Sequence, residues 1–199
     1  MTPIRSAAVF CGSRVGADPI YAEATAELGR GLALAGITLV YGGGRIGLMG
    51  IIADAMLAAG GQVHGIIPDF LQRREVAHGG ATRMEFTPSM HTRKARMFEL
   101  ADAFVTMPGG LGTFDETIEV VTWRQLGLHD KPILICDVAG WARPLLAVLR
   151  TAVEDGFADA SALELFEVVP DVPALLARLA APDTLPAEMP GAISPGSGV

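Results

Sequence analysis

The sequence predicts a single α/β domain with a Rossmann-like parallel sheet and helices on both faces. Short apolar runs alternate with longer helical patterns from the first residues onward, which is typical of parallel strands joined by crossover helices. Half of the residues are hydrophobic but only 6% are aromatic, so Ala, Leu, Val and Ile must form most of the core. A length of 199 residues suffices for one domain and is short for two.

The predicted elements follow one another as strand, glycine-bearing loop and helix. Strands are expected where short apolar runs end in turn residues, at 7–11, 38–41, 63–67, 83–87, 103–106, 133–136 and 166–169. Helices are expected in the intervals, at 21–35, 48–59, 90–101, 114–126, 142–154 and 172–179. Beyond residue 181 the chain is rich in Pro, Gly and Ser, which predicts a domain over 1–181 and a disordered tail over 182–199.

Charge and composition exclude several classes of function. A net charge of −7 argues against the broad contact with phosphate backbones that duplex nucleic acid requires. No apolar run reaches the roughly 18 residues that a membrane span needs, and the start of the chain does not resemble a signal peptide. We therefore expect a cytoplasmic protein in which Cys11 and Cys136 are free thiols.

Two glycine-bearing loops precede the middle of the chain. The turn at 11–14 ends the first strand, and the loop at 41–50 matches G-x-G-x-x-G at Gly42, Gly44 and Gly47. That match alone is weak. A nicotinamide site would use Asp69, but the match follows the second strand and leaves no room for a substrate domain. A P-loop is excluded because no turn ends in Gly-Lys-Ser/Thr.

The helix predicted at 90–101 places an arginine where a buried side chain is expected. Arg93 falls inside the apolar stripe at 100° per residue. The other members of that stripe are Met90, Met97, Leu100 and Ala101. Burying a guanidinium is costly unless it is paired, which leaves two interpretations: an ion pair, with Glu116 as a candidate, or an anionic ligand site.

The third glycine-bearing turn, at 108–113, passes from a strand into a helix. Its glycines leave backbone amides uncovered at a helix N-terminus, where an anion binds favourably. The Thr113 hydroxyl could cap the helix or donate to a phosphate. Taken alone, Thr113 and Glu116 are better explained as a capping box. In context, Glu116 follows the amides by about one turn, roughly 5 Å, and would face the sugar of a 5′-nucleotide.

Cofactor and metal chemistry have little support in the sequence. A pyridoxal-phosphate decarboxylase needs a Schiff-base lysine, and the chain has only Lys94 and Lys131, of which the second precedes Pro132 in a loop. The four histidines show no metal-binding spacing. We therefore expect neither a cofactor nor a metal.

Taken together, these motifs resemble the Lonely Guy (LOG) family of cytokinin riboside 5′-monophosphate phosphoribohydrolases, long labelled lysine decarboxylase-like. The resemblance covers residues 7–180 and is most specific where Arg93-Lys94 is combined with Pro-Gly-Gly-x-Gly-Thr-x-x-Glu. It implies hydrolysis of the N-glycosidic bond of an N6-modified adenine nucleotide, or of AMP, with Arg93 and Glu116 as the catalytic pair. The proposed substrate-binding residues are Gly12, Ser13, Gly43, Gly44, Glu75, Met90, Lys94, Gly109, Gly110, Leu111, Gly112, Thr113, Phe114, Asp115 and Thr122.

The resemblance also implies a homodimer whose active site lies near the subunit interface. A rival from another class is a non-catalytic nucleotide or molybdenum-cofactor carrier on the same fold. The presence of both Arg93 and Glu116 favours the enzyme. The preferred N6 substituent is read by pocket walls that no motif specifies.

Overall fold

Seven parallel strands form one sheet in the computed structural model, which describes residues 3–72 and 76–181. In chain order the strands are β1 (Ser6–Phe10), β2 (Thr38–Tyr41), β3 (Val63–Pro68), β4 (Arg83–Thr87), β5 (Ala103–Thr106), β6 (Ile133–Cys136) and β7 (Glu167–Val169). Their order across the sheet is β4-β3-β2-β1-β5-β6-β7, and every pairing is parallel. The predicted α/β class is confirmed.

Helices lie on both faces of this sheet. They are α1 (Pro19–Leu34), α2 (Gly47–Ala58), α3 (Met90–Leu100), α4 (Leu111–Gln125), α5 (Arg143–Glu154) and α6 (Val172–Ala180). Each predicted element is present; half of the predicted boundaries coincide with the observed ones, and all but one of the others differ by one or two residues. The largest difference is at α4, which begins at Leu111 and not at residue 114.

The core is divided into two apolar layers by the sheet. Leu28 and Leu32 of α1 pack with α2 and α6 on one face, whereas Met97 of α3 and Val120 of α4 pack on the other. Because both faces are covered, the strands are continuous apolar runs, and all six residues of β3 are buried. Arg93 and Glu116 belong to the two helices that share the second face.

The connections reverse direction at β1, which pairs with β2 on one side and β5 on the other. Ligands of open α/β sheets bind at the carboxyl ends of the strands where the order reverses. The turns that follow β1 and β5 are joined there by a hydrogen bond of 3.0 Å from Gly12 N to the carbonyl oxygen of Pro108. A binding site is therefore expected where the turns that follow β1 and β5 meet.

Two of the sequence predictions fall on parts of the chain that are not described. Glu75 and the tail predicted at 182–199 lie outside the described residues. Within 3–72 and 76–181, no helix combines the length and apolar character that crossing a membrane requires.

Candidate active site

The N-terminus of α4 presents unpaired backbone amides. Gly110 is the N-cap and provides no side-chain cap. Phe114 N donates to the carbonyl oxygen of Gly110 at 3.0 Å, but the amides of Leu111, Gly112 and Thr113 have no acceptor among the described residues. The first three amides of a helix cannot bond within the helix, and together with its dipole they attract an anion.

The N-terminus of α2, which the other glycine-rich loop precedes, is closed. Leu48 N and Met49 N both point to the carbonyl oxygen of Gly12, at 2.9 and 3.4 Å. Gly47 adopts φ +62, and a Cβ there would lie 2.2 Å from the carbonyl carbon of Ser13. The loop after β1 therefore covers this terminus and uses its amides, so the G-x-G-x-x-G match does not mark a second anion site.

Arg93 and Glu116 face each other above the carboxyl ends of the strands. Arg93 is only 5% exposed, and its Nη2 lies 3.7 Å from Glu116 Oε1. Its Nη1 donates to the Met90 sulfur at 3.6 Å, and its buried Nε has no hydrogen-bond partner among the described residues. A buried guanidinium with an unused donor beside a carboxylate is suited to hold a ligand oxygen.

Gly42 makes room for that guanidinium. A Cβ at Gly42 would lie 1.9 Å from Arg93 Nη2 and 3.2 Å from the Met49 sulfur. The glycine at the end of β2 is thus explained by the close approach of the arginine and not by a phosphate contact.

A cavity of about 180 Å³ joins the open end of α4 to the ion pair. Ten of the residues proposed for the site line it: Gly12, Ser13, Met90, Arg93, Gly110, Leu111, Gly112, Thr113, Asp115 and Glu116. The loop ends, helix α3 and helix α4 therefore bring residues more than a hundred positions apart to one place.

Six other proposed residues do not line this cavity: Gly43, Gly44, Lys94, Gly109, Phe114 and Thr122. The carbonyl of Gly43 accepts from His78 N, and Gly44 bridges Ala77, so both glycines anchor the loop after β3. Thr122 is exposed farther along α4, where its hydroxyl donates to the carbonyl oxygen of Ile118.

Five lining residues are absent from the proposed set: Val9, Cys11, Gly42, Met49 and Leu71. Burial and the neighbouring Glu116 carboxylate raise the pKa of the Cys11 thiol well above its usual range, although Arg93 opposes this effect. The Cys11 thiol is therefore protonated and unreactive at neutral pH, and it forms part of the cavity wall. Cys11 and Gly42 lie within motifs of the sequence, whereas no local pattern indicates Leu71.

The capping-box interpretation of Thr113 is wrong. Because α4 begins at Leu111, Thr113 is the third helical residue and cannot be the N-cap. It is buried, and its carbonyl accepts from the Thr117 hydroxyl at 2.7 Å. Thr117 in turn bonds Thr106 of β5 at 2.8 Å, which ties the first turn of α4 to the sheet.

Neither lysine lines the cavity. Lys94 Nζ lies 3.0 Å from Asp115 and 3.1 Å from Glu119, and although burial acts against it, these carboxylates raise its pKa. Burial lowers the pKa of Lys131, but its Nζ donates to the carbonyl oxygen of Phe98 and lies over the Phe98 ring. Neither amine is placed to form a Schiff base with a ligand in this cavity.

The family model described as possible lysine decarboxylase matches residues 49–179 of the chain. The cytokinin riboside 5′-monophosphate phosphoribohydrolase LOG1 of Arabidopsis thaliana is 43% identical over 171 residues, which cover 86% of this chain and 80% of the relative. The cytokinin riboside 5′-monophosphate phosphoribohydrolase of Rhodococcoides fascians is 41% identical over 179 residues, with coverage of 89% and 90%.

Solved structures with the same fold include molybdenum-cofactor proteins. The Moco carrier protein of Chlamydomonas reinhardtii matches with a TM-score of 0.66 at 20% identity, covering 90% of this chain and 96% of the other. The molybdenum cofactor binding protein of Rippkaea orientalis matches with a TM-score of 0.64 at 18% identity, covering 89% and 94%. At these identities the likeness concerns the fold alone.

Proposed function

The chain belongs to the LOG family, whose model is described as possible lysine decarboxylase, and we propose that it is a phosphoribohydrolase. Its substrates are cytokinin riboside 5′-monophosphates, nucleotides of N6-modified adenines, and AMP is the unmodified candidate. The products are the free base and ribose 5-phosphate. The relatives with this named activity are about 42% identical over most of the chain.

The observation that carries the proposal is the placement of the Arg93–Glu116 pair beside the open end of α4. Glu116 follows Leu111 by five residues, a rise of roughly 7.5 Å along the helix. A phosphate monoester on the amides of residues 111–113 therefore leaves its sugar near the carboxylate. Hydrolysis of an N-glycoside builds positive charge on that sugar.

Glu116 acts on the sugar in this proposal. Its carboxylate stabilises the oxocarbenium-like transition state and accepts the proton of the attacking water. The water oxygen bonds to C1′ as the C1′–N9 bond breaks, the base departs with the bonding electrons, and the proton that Glu116 took from the water is passed on to the base, which restores the carboxylate. Atoms and charges balance without a metal or a cofactor.

Arg93 holds ligand oxygens and keeps Glu116 in position. Its Nε has no partner among the described residues, and its Nη2 is 3.7 Å from the carboxylate, longer than a strong charge-assisted bond. A sugar or phosphate oxygen in the cavity can therefore accept from the guanidinium while the carboxylate stays beside it. The remaining proposed residues that line the cavity supply its walls and the phosphate cradle.

We also propose that the protein is a cytoplasmic homodimer with the active site near the interface. The family resemblance supports the dimer, as do the exposed apolar side chains of Leu111, Leu126 and Leu128 on and just after α4. The two cysteines are free and buried, which is consistent with a reducing compartment. Sedimentation equilibrium tests the dimer directly: a monomer at micromolar concentration contradicts it.

Incubation with isopentenyladenosine 5′-monophosphate tests the function. Chromatography should show free isopentenyladenine and ribose 5-phosphate accumulating in equal amounts, with AMP as the comparison substrate. The riboside without phosphate is the control and should be cleaved far more slowly, because the phosphate contacts position the sugar. Nucleotide recovered intact would overturn the hydrolase and support the carrier.

A further inference from the structure

The carbonyl groups of the turn between β5 and α4 are tied to donors. Pro108 O accepts from Gly12 N at 3.0 Å, and Gly110 O accepts from Phe114 N at 3.0 Å. A carbonyl oxygen presented to a phosphate would repel it, so an anion-binding turn must keep its oxygens engaged elsewhere. Gly109 O lies between these two tethered groups.

Trp141 supplies the donor for that middle carbonyl. Its indole Nε1 donates to Gly109 O at 3.2 Å, from a loop that follows β6. Its ring also stacks on Phe114 of the first turn of α4, with ring centroids 5.5 Å apart and an angle of 13° between the planes. The Trp141 side chain therefore contacts the turn at both ends, at Gly109 before the helix and at Phe114 within its first turn.

The loop that carries Trp141 has a backbone conformation that requires an explanation. Ala139 adopts φ 51 and Gly140 adopts φ 80, so two successive residues are left-handed. Asp137 secures the loop by accepting from Ala142 N at 2.8 Å. A left-handed alanine persists only where surrounding contacts impose it, and such residues gather at functional sites. Here the conformation brings the indole against Gly109.

The space around the Cα atom of Gly109 is filled by neighbouring residues. A Cβ there would lie 2.0 Å from Thr113 Oγ1 and 2.9 Å from Gly12 N. The inner side of the turn is thus filled by Thr113 and the loop after β1. The peptide that follows Gly109 is held from the outer side by Trp141.

We propose that Trp141 is a positioning residue for the anion-binding turn, holding the Gly109 carbonyl outward so that the amides of residues 111–113 stay open to a phosphate monoester. Trp141 itself does not line the cavity. The proposal rests on the proposed function only in taking a phosphate monoester as the ligand, and it does not depend on cleavage.

Two substitutions separate the roles of the indole. Trp141→Phe keeps an aromatic ring for Phe114 but removes the donor, whereas Trp141→Leu removes both. We expect Trp141→Phe to weaken AMP binding by about 3- to 10-fold, the range for a single lost hydrogen bond, and Trp141→Leu to weaken it further. The KM should rise by the same factors and kcat should stay within error, because the sugar-facing groups are untouched.

The matched control is Trp123→Phe. Trp123 packs edge-on against Phe98, with centroids 4.9 Å apart, and does not line the site cavity. AMP affinity should be unchanged in this variant. Since the chain has two tryptophans, the variant also leaves Trp141 as the single fluorophore. Inorganic phosphate and AMP should each shift its emission, a readout that does not require any Trp141 variant to fold.

The outcomes distinguish this proposal from the proposed function. Intact nucleotide together with weaker AMP binding by Trp141→Phe would refute the hydrolase and leave the positioning role standing. Both Trp141 variants should lower the melting temperature, because each removes a contact of the indole. If they do so while AMP affinity and the single-tryptophan emission show no response, Trp141 only packs the fold and the positioning proposal is overturned.

Discussion

The turns that open α2 and α4 have the same construction and opposite hydrogen-bonding states. Both follow a parallel strand, both are glycine-rich, and both lack a side-chain cap. At α2 the amides of Leu48 and Met49 point to Gly12 O, whereas at α4 the amides of residues 111–113 have no acceptor in the described chain. The number of glycines does not distinguish an anion site from a packed turn, but the destination of each amide does.

The two helices also differ one turn farther on. The sixth residue of α4 is Glu116, which lines the cavity, and the sixth residue of α2 is Ile52, which is fully buried. The α4 turn therefore combines an anion site with a carboxylate at sugar distance. The α2 turn contributes Gly42 and Met49 to the cavity wall but neither open amides nor a carboxylate. Five substitutions test this contrast.

The largest effect is expected from Glu116→Gln. The amide keeps the size of the carboxylate but cannot carry its charge, so kcat should fall by about 10²- to 10⁴-fold. Nucleotide affinity should remain largely unchanged because the phosphate cradle is intact. Glu119→Gln, on the same helix but outside the cavity lining, is the control. Full activity of Glu116→Gln would contradict the role given to the carboxylate.

Gly42→Ala should act on the other member of the pair. The new methyl would occupy the place of Arg93 Nη2, so the guanidinium must move. A displacement of about 1 Å in a catalytic group can reduce kcat/KM by about 100-fold. The melting temperature should change little, since the group displaced is the end of a flexible side chain. Gly79→Ala, where a Cβ meets nothing within 4 Å, controls for loss of a loop glycine.

Gly112→Val and Gly50→Ala should have opposite consequences. A Cβ at Gly112 meets nothing within 4 Å, so the valine should fold normally and obstruct the open amides, weakening nucleotide binding at least about 10-fold. A Cβ at Gly50 in α2 would lie 1.9 Å from Arg45 O, so that change should cost about 1–3 kcal/mol of stability. Calorimetry of unfolding and of AMP binding measures both effects. Unchanged affinity in Gly112→Val would place the phosphate elsewhere.

The smallest effect on nucleotide binding is expected at the sheet edge, remote from both turns. Hydrogen bonds from Arg96 lower the pKa of Glu85 from 4.5 to about 2, with His64 adding to this effect. The ionised carboxylate therefore stabilises the fold fully above pH 4.5, and this stabilisation is lost as the pH falls toward 2. Glu85→Gln should flatten the decline in melting temperature over that interval. Its AMP affinity at pH 7 should equal that of the wild type; an unflattened decline would refute the linkage.

Much of the fold could be predicted because it follows from local patterns. Apolar runs and 3.6-residue periodicity located the seven strands and the six α-helices of the described chain, since strands covered on both faces must be apolar throughout. Arg93 was detectable for the same reason, as a charge inside an apolar stripe. The error at the start of α4 arose because glycine has weak helix propensity, although Gly112 lies inside the helix.

The rest of the site depends on contacts between residues distant in the chain. The closure of α2 by Gly12 O joins positions 12 and 48, and the support of the α4 turn joins Gly109 to Trp141. Neither contact has a periodic signature, because a backbone carbonyl or an indole donor is chemically the same wherever it occurs. Leu71 of the cavity wall was not predicted for the same reason, because no local sequence pattern indicates it.

Amide chemical shifts during titration with AMP show which helix N-terminus binds the phosphate. Two-dimensional ¹H–¹⁵N spectra of the labelled protein should show large, saturable shifts for Leu111, Gly112 and Thr113, with Leu48, which does not line the cavity, nearly unchanged. Inorganic phosphate should reproduce the shifts at higher concentration. Saturable shifts at α2 with none at α4 would show that the phosphate does not bind at the N-terminus of α4.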